Sequence, residues 1–358
     1  GVQTCALPIC VHKFYDRLVS GMLKNGYTSD FAEQLFRQIE GFGEYGFPES
    51  HAASFALLVW ASAWLKRHEP ACFLAAMLNS QPMGFYGPSQ LVQDAKRHGV
   101  TVLPVDVTHS DWDCTLVLES QAVRLGLRLV SGLSESAAQR LVQTRRQGAW
   151  TSVQDLALRA DLDRADLKAL AGADALASLS GHRRQQVWQT SALQRAPALL
   201  REAPIQESVL LLPGASESQE VCWDYASTGL SLRTHPLGFL RPQLSSMRLL
   251  TAEQLRGLHA TCLVRTAGLV VMRQSPQTAK GVTFVTLEDE TGSVNVIVWK
   301  AMRERYRSAL LHARLLAVHG VWQRDEDGSG QVCHVVAGFM RDLTPLLGDL
   351  LTQSRDFH

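Results

Sequence analysis

Asp111 and Asp113 stand two residues apart after an apolar run, an arrangement by which paired carboxylates hold two magnesium ions for phosphoryl transfer. Asp161/Asp163 and Asp325/Asp327 repeat that spacing, but they fall where a helix start and a turn are expected. A second chemistry is offered by Ser50 and His51, which open an apolar segment that closes on Lys66, Arg67 and His68. Polar groups pinned on a rigid helix can hold a charged phosphate in register. The same residues also read as an N-cap serine, a satisfied histidine and a snorkelling lysine, and both readings stay open.

A third candidate site is a short turn. Gly132-Leu-Ser134, then Ala138, Leu141 and Val142, has the order of a helix-hairpin-helix with serine replacing the usual second glycine. Such a hairpin exposes successive backbone N–H groups at a helix N-terminus, which suits a duplex phosphate. Arg140, Arg145 and Arg146 would add charge, and contacts of this kind position a duplex without reading its sequence. A plain αα-hairpin with a glycine turn accounts for the same residues. A more degenerate copy at residues 158–176 reads as mainly structural.

The elements that must carry these groups change character along the chain. From His12 to Ser80 apolar residues recur at three- and four-residue spacings, which predicts helices, with Ser29-Asp30 as a cap and Pro70 opening the next helix. The apolar helix running to Leu65 is hydrophobic on nearly every side, so Trp60 and Trp64 are expected in a core. Residues 91–98 read as a helix, 100–107 as a strand, and 120–200 as helical again. Residues 197–220 look like a linker. Between Thr261 and Phe339 short alternating strands appear (262–272, 282–288, 293–299, 315–323, 331–339) with a helix at 301–311. Five strands with a helix after the third is the order of an OB-fold barrel. There, Arg273 and Lys280 supply charge, while Phe284 and Trp299 either stack bases or pack a core.

Composition narrows the classes. At 358 residues, 46% hydrophobic and 19% charged, the chain is globular and long enough for two or three domains. Its net charge of +1 is no signal of nucleic-acid binding, yet residues 120–200 hold eleven Arg/Lys against six Asp/Glu, a balance of +5. The longest apolar run, Ala52–Leu65, is too short to cross a bilayer, so no membrane role is expected. Seven scattered cysteines without a CxxC pair predict reduced thiols, a cytoplasmic setting and no structural zinc site. Gly1–Cys10 reads as unrelated to the rest of the chain, a cloning, assembly or truncation remnant.

The stretch FGEYGFPESHAASFALL at residues 42–58 closely resembles the fingers region of bacterial DnaE-type DNA polymerases, in the form of the error-prone (ImuC) branch. Residues 79–86, 109–114, 224–237, 267–281 and 282–292 resemble blocks of the same family, in the family's order. The resemblance implies a multidomain α+β chain. Its parts would be a non-native remnant at 1–10, a fingers portion at 11–118 and a tandem helix-hairpin-helix domain at 119–200. A connector at 201–258, a C-terminal OB-fold β-barrel at 259–343 and a tail at 344–358 complete it.

By the same resemblance, the parent enzyme adds deoxynucleotides to a primer end across damaged templates, using magnesium held by palm carboxylates upstream of this chain. Asp111/Asp113 then lies past the fingers and is no metal site, and no metal or catalytic residue is expected here. The fingers would place Ser50, His51 and Lys66 at the nucleotide or primer–template; the hairpin would hold duplex phosphate; the barrel would guide single strand. Expected partners are primed and single-stranded DNA, a deoxynucleoside triphosphate, and accessory translesion proteins that link to the sliding clamp. Direct clamp binding is not expected, because residues 206–210 lack the aromatic anchor of a clamp-binding peptide. Two other readings stay open: a replicative alpha-subunit fragment, and a free-standing adaptor of hairpin and barrel modules.

Overall fold

A computed structural model describes residues 14–45, 49–84, 86–193, 210–259, 261–276, 281–324, 332–350, 352 and 354–357, with backbone alone for 40–45, 49–51 and 357. The chain divides into two units, Gly1–Glu69 and Pro70–His358.

In the first unit, α1 (Tyr15–Lys24) and α2 (Ser29–Tyr45) form a helical pair. Ala32 and Phe36 are buried in it, and Phe36 meets the Tyr15 ring edge-to-face at 4.7 Å. The cap of α2 is Thr28, one residue before the expected serine: its hydroxyl accepts from the Phe31 amide at 3.4 Å. The glycine-punctuated stretch after residue 40 continues α2 to Tyr45, and α3 spans Glu49–His68. The expectation that α3 is buried on most sides does not hold. Trp60 is 68% exposed, and Phe55, Leu57, Leu58, Val59, Trp64 and Leu65 are exposed too. All-round apolarity dictates what a helix needs against it, and does not itself supply the covering surface.

The second unit begins with α4 (Pro70–Asn79) and α5 (Pro88–Arg97), then a three-stranded sheet ordered β1-β3-β2. Its strands are β1 (Val102–Leu103), β2 (Thr115–Val117) and β3 (Ala122–Arg124). Helices α6 (Glu135–Arg146), α7 (Val153–Arg159), α8 (Arg164–Gly172), α9 (Ala177–Ser180) and α10 (Arg183–Ala192) come next. Leu74, Leu78, Val92, Val123, Leu127, Leu141, Leu156, Leu170 and Leu176 share one continuous core. Residue 118, the expected end of the fingers portion, is therefore no packing boundary: α4, α5 and the small sheet bury their apolar faces with the hairpin helices.

The segment read as a connector folds into α11 (Glu217–Thr228), α12 (Pro236–Ser246) and α13 (Ala252–Arg256). Ser216, His235 and Thr251 cap them, and Gly229 at φ +73° ends α11, accepting a left-handed turn that a side chain would resist. Val221, Leu237 and Leu244 pack with Ala267, Leu315 and Leu347.

The barrel strands are β4 (Cys262–Gln274), β5 (Thr283–Asp289), β6 (Gly292–Val298), β7 (Leu315–Arg324) and β8 (Cys333–Asp342). They are ordered β5-β6-β8-β7-β4, and β4 pairs back with β5 to close the cylinder. Alternation places Val285, Leu287, Val294, Val296, Val318, Trp322 and Val335 in the barrel core. Helices α14 (Lys300–Arg305) and α15 (Arg307–His312) connect β6 to β7, as the OB-fold order predicts. A last strand, β9 (Arg355–Phe357), lies parallel on β4.

Candidate nucleic-acid interface

The hairpin before α6 is built by local chemistry. Leu127–Leu129 forms a single 3-10 turn, and Gly132 at φ +84° reverses the chain without steric cost. Ser134 then caps α6, its hydroxyl accepting the Ala137 amide at 3.2 Å. The serine that replaces the usual second glycine is thus the helix cap. The preceding amides of the first turn face outward, as at any helix start. Glu135 stands in that first turn and tempers its pull on a phosphate.

The three arginines of α6 do different things. Arg140 donates from Nε to the Ala160 carbonyl at 2.9 Å and from Nη2 to the Asp161 carbonyl at 3.1 Å, clamping the turn between α7 and α8. Arg145 donates to the Val107 and Ser110 carbonyls at 2.9 and 2.8 Å and pairs with Asp111. Both guanidiniums are engaged by these intramolecular contacts, although the Arg140 side chain stays 39% exposed, against the expectation that they face phosphate. Their partners are backbone carbonyls brought near only by folding. Arg146 is exposed, and Lys168 on α8, missed from sequence, is exposed beside the Gly132 turn in a shared cavity.

The second hairpin keeps an acidic character: Asp161 takes φ +45° at the turn and Asp163 caps α8. The Asp111-x-Asp113 pair does not fit a two-magnesium centre either. Asp111 faces Arg145 and Asp113 faces Arg128 at 2.7 Å, so each carboxylate is turned to its own arginine.

The block at residues 224–237, which carried no chemical role in the sequence, proves to be half of a buried ion network. Arg183, 3% exposed, pairs with Glu220 at 3.2 Å and with Asp224. Arg233 reaches Asp174, Glu220 and Asp224 at 3.2, 3.5 and 3.5 Å. Burial pushes the Glu220 and Asp174 carboxyls above the usual carboxylate range, and the arginines pull them back only in part. Such a network sets the geometry between the hairpin helices and α11 more than it adds stability.

On the barrel, Phe284 (β5) is 38% exposed and Trp299, just past β6, is 55% exposed. Phe284 stands opposite Ile297, two residues before Trp299, so both rings lie on the outer β5–β6 face. That face is the one on which OB barrels bind oligonucleotides. Arg273 is not on it. A bulge between Val270 and Met272 shifts the alternation of β4 and turns this side chain inward. It is 7% exposed, donates to the carbonyls of Leu310 (2.6 Å) and Ala313 (2.5 Å) at the end of α15, and meets Asp356 at 3.3 Å. It caps a helix C-terminus instead of contacting phosphate. Lys280 lies outside the described residues.

For the fingers candidates, Ser50 and His51 lie in the first turn of α3, with side chains outside the described residues, and Lys66 is exposed in its last turn. At 1.5 Å rise per residue the two ends are about 24 Å apart, so the three cannot share one phosphate.

A helix-hairpin-helix motif model matches residues 99–186, and a model of an OB-fold nucleic acid binding domain matches residues 264–337. The error-prone DNA polymerase of Burkholderia pseudomallei is 56% identical over 355 residues, 97% of this chain and 33% of the relative. Those of Alkalilimnicola ehrlichii and Methylococcus capsulatus are 54% and 51% identical over 96% of this chain and 34% of each relative. The chain is homologous to a portion of the error-prone DNA polymerases. It spans about a third of the length of these polymerases. The matched stretch covers 96–97% of this chain. Among the described residues no helix is long and apolar enough to cross a membrane.

Proposed function

We propose that this chain is the DNA-gripping part of an enzyme of translesion synthesis and damage-induced mutagenesis, which adds deoxynucleotides to a primer 3′ end. In this reading the α6 hairpin holds product duplex by its outward amides with Arg146 and Lys168, and the β5–β6 face guides the single-stranded template over Phe284 and Trp299. The helix α3, through Ser50, His51 and Lys66, serves the incoming nucleotide at one end and primer–template at the other. Magnesium and its carboxylate ligands belong to the rest of the enzyme. Accessory proteins, not a peptide of this chain, bring it to the sliding clamp.

The observation that carries the reading is homology to error-prone DNA polymerases along 97% of the chain. The outward aromatics of the barrel support it from physics, since base stacking tolerates any sequence. Primer extension tests it. With magnesium and all four deoxynucleotides the chain alone extends no primer yet retains a primed template; extension by the chain alone would overturn this division of labour.

A further inference from the structure

We propose a nucleotide-phosphate subsite at the mouth of the barrel, formed by Trp322 and Arg256, that takes one unit of a single strand crossing the β5–β6 face. It rests on the reading of the barrel as a single-strand guide.

A cavity of about 380 Å³ opens there, lined by Arg256, Ser293, Asn295, Trp322, Arg324 and Cys333 over a floor of Ala252 and Val294. Trp322 is 2% exposed, and its Nε1–H is buried with no acceptor among the described residues. An indole donor left unmade inside a fold is costly, so its persistence points to an acceptor brought by a ligand. Arg256 of α13 stands at the rim, steered by a hydrogen bond from Nη2 to the Ser293 carbonyl at 3.3 Å. Gly292, at φ +151°, makes the room for it: a Cβ there would stand 2.6 Å from Nη2. The Arg256 guanidinium at the rim selects an anionic oxygen. Ser293 and Asn295 are exposed on β6, the strand that leads to Trp299 at its other end. A strand laid along β6 therefore stacks at Trp299 and meets charge at Arg256, roughly 20 Å away at 3.3 Å per residue.

The test uses the full chain with its tryptophan indoles labelled with ¹⁵N. W322F and W299F assign the two resonances, and oligo(dT), thymidine monophosphate and inorganic phosphate are the three probes. With oligo(dT) both indole resonances move; R256Q weakens oligo(dT) binding about 3–10-fold and lowers the salt slope by about 0.7, as loss of one single-strand phosphate contact requires. R256Q alters an exposed residue, so its affinity decides even where W322F folds poorly. A Trp322 resonance that answers only to the monophosphate or to inorganic phosphate overturns the strand assignment. Movement at Trp299 with Trp322 still, or an unchanged R256Q affinity, removes the subsite and leaves the barrel reading intact. Stillness of both indoles at saturating oligo(dT) removes both.

Discussion

The Arg140 Nε donates to the Ala160 carbonyl at 2.9 Å, so a residue that reads as a phosphate ligand instead ties one hairpin unit to the next. Its neighbour six positions on, Arg146, is exposed. The two substitutions should therefore separate cleanly. Arg140→Ala loses about 0.5–1.5 kcal/mol of stability, the net worth of a hydrogen bond that water can partly replace, with little change in the salt dependence of duplex binding. Arg146→Ala leaves the melting temperature within error and reduces the salt slope by about 1. Equal effects of the two on binding would contradict the assignment.

Arg273 gives a second separation. Arg273→Met strips donors from the Leu310 and Ala313 carbonyls and leaves the end of α15 uncapped. Thermal unfolding should show a loss of about 2–4 kcal/mol, in the range for breaking a buried hydrogen-bond network. Affinity for single-stranded DNA of the folded variant should match the parent. A variant that keeps its melting temperature and loses DNA would return Arg273 to the binding face.

Phe284 and Trp299 carry the opposite expectation. Each alanine substitution should weaken oligo(dT) about 5- to 100-fold, the equivalent of one lost base stack, and the double variant should lose more than either. Circular dichroism should report the same barrel. Unchanged affinity in both single variants would mean that the exposed rings serve something other than DNA.

The contact between α12 and the β5–β6 turn predicts a pH effect. Burial pushes the Glu290 carboxyl up, but the paired hydrogen bonds and charge of Arg241 more than offset that and hold it below its ordinary 4.5. A depressed carboxylate adds stability above the unfolded pKa and loses it as pH falls through the folded one. The stability gap between parent and Arg241→Met should thus be full at pH 7 and narrow below about pH 4.5. A gap independent of pH would show that the pair contributes only packing.

The barrel was legible because period-two alternation runs the length of β6 and through the first half of β5, and the helix after the third strand falls where the OB-fold order places it. Arg273 was misread because the bulge at Val270/Met272 inverts the parity of β4, and no residue type at that position announces it. Arg140 and Arg145 were misread for another reason. Their acceptors are carbonyls twenty to thirty-eight residues away, and every residue carries a carbonyl. The fold of 217–256 was hidden by a Ser/Glu-rich start that caps α11 rather than forming a linker. Lys168 was passed over because its placement beside Gly132 comes from packing of α8 against the hairpin, which spacing along the chain does not encode.

The most direct measurement of the central claim is a salt titration of the chain's affinity for primed template, single strand and duplex. The account predicts measurable binding at low ionic strength, tightest on the primed template. Its logarithm should fall linearly with the logarithm of salt, with a slope reporting several phosphate contacts. Absence of binding to every one of these DNAs at low ionic strength would contradict it.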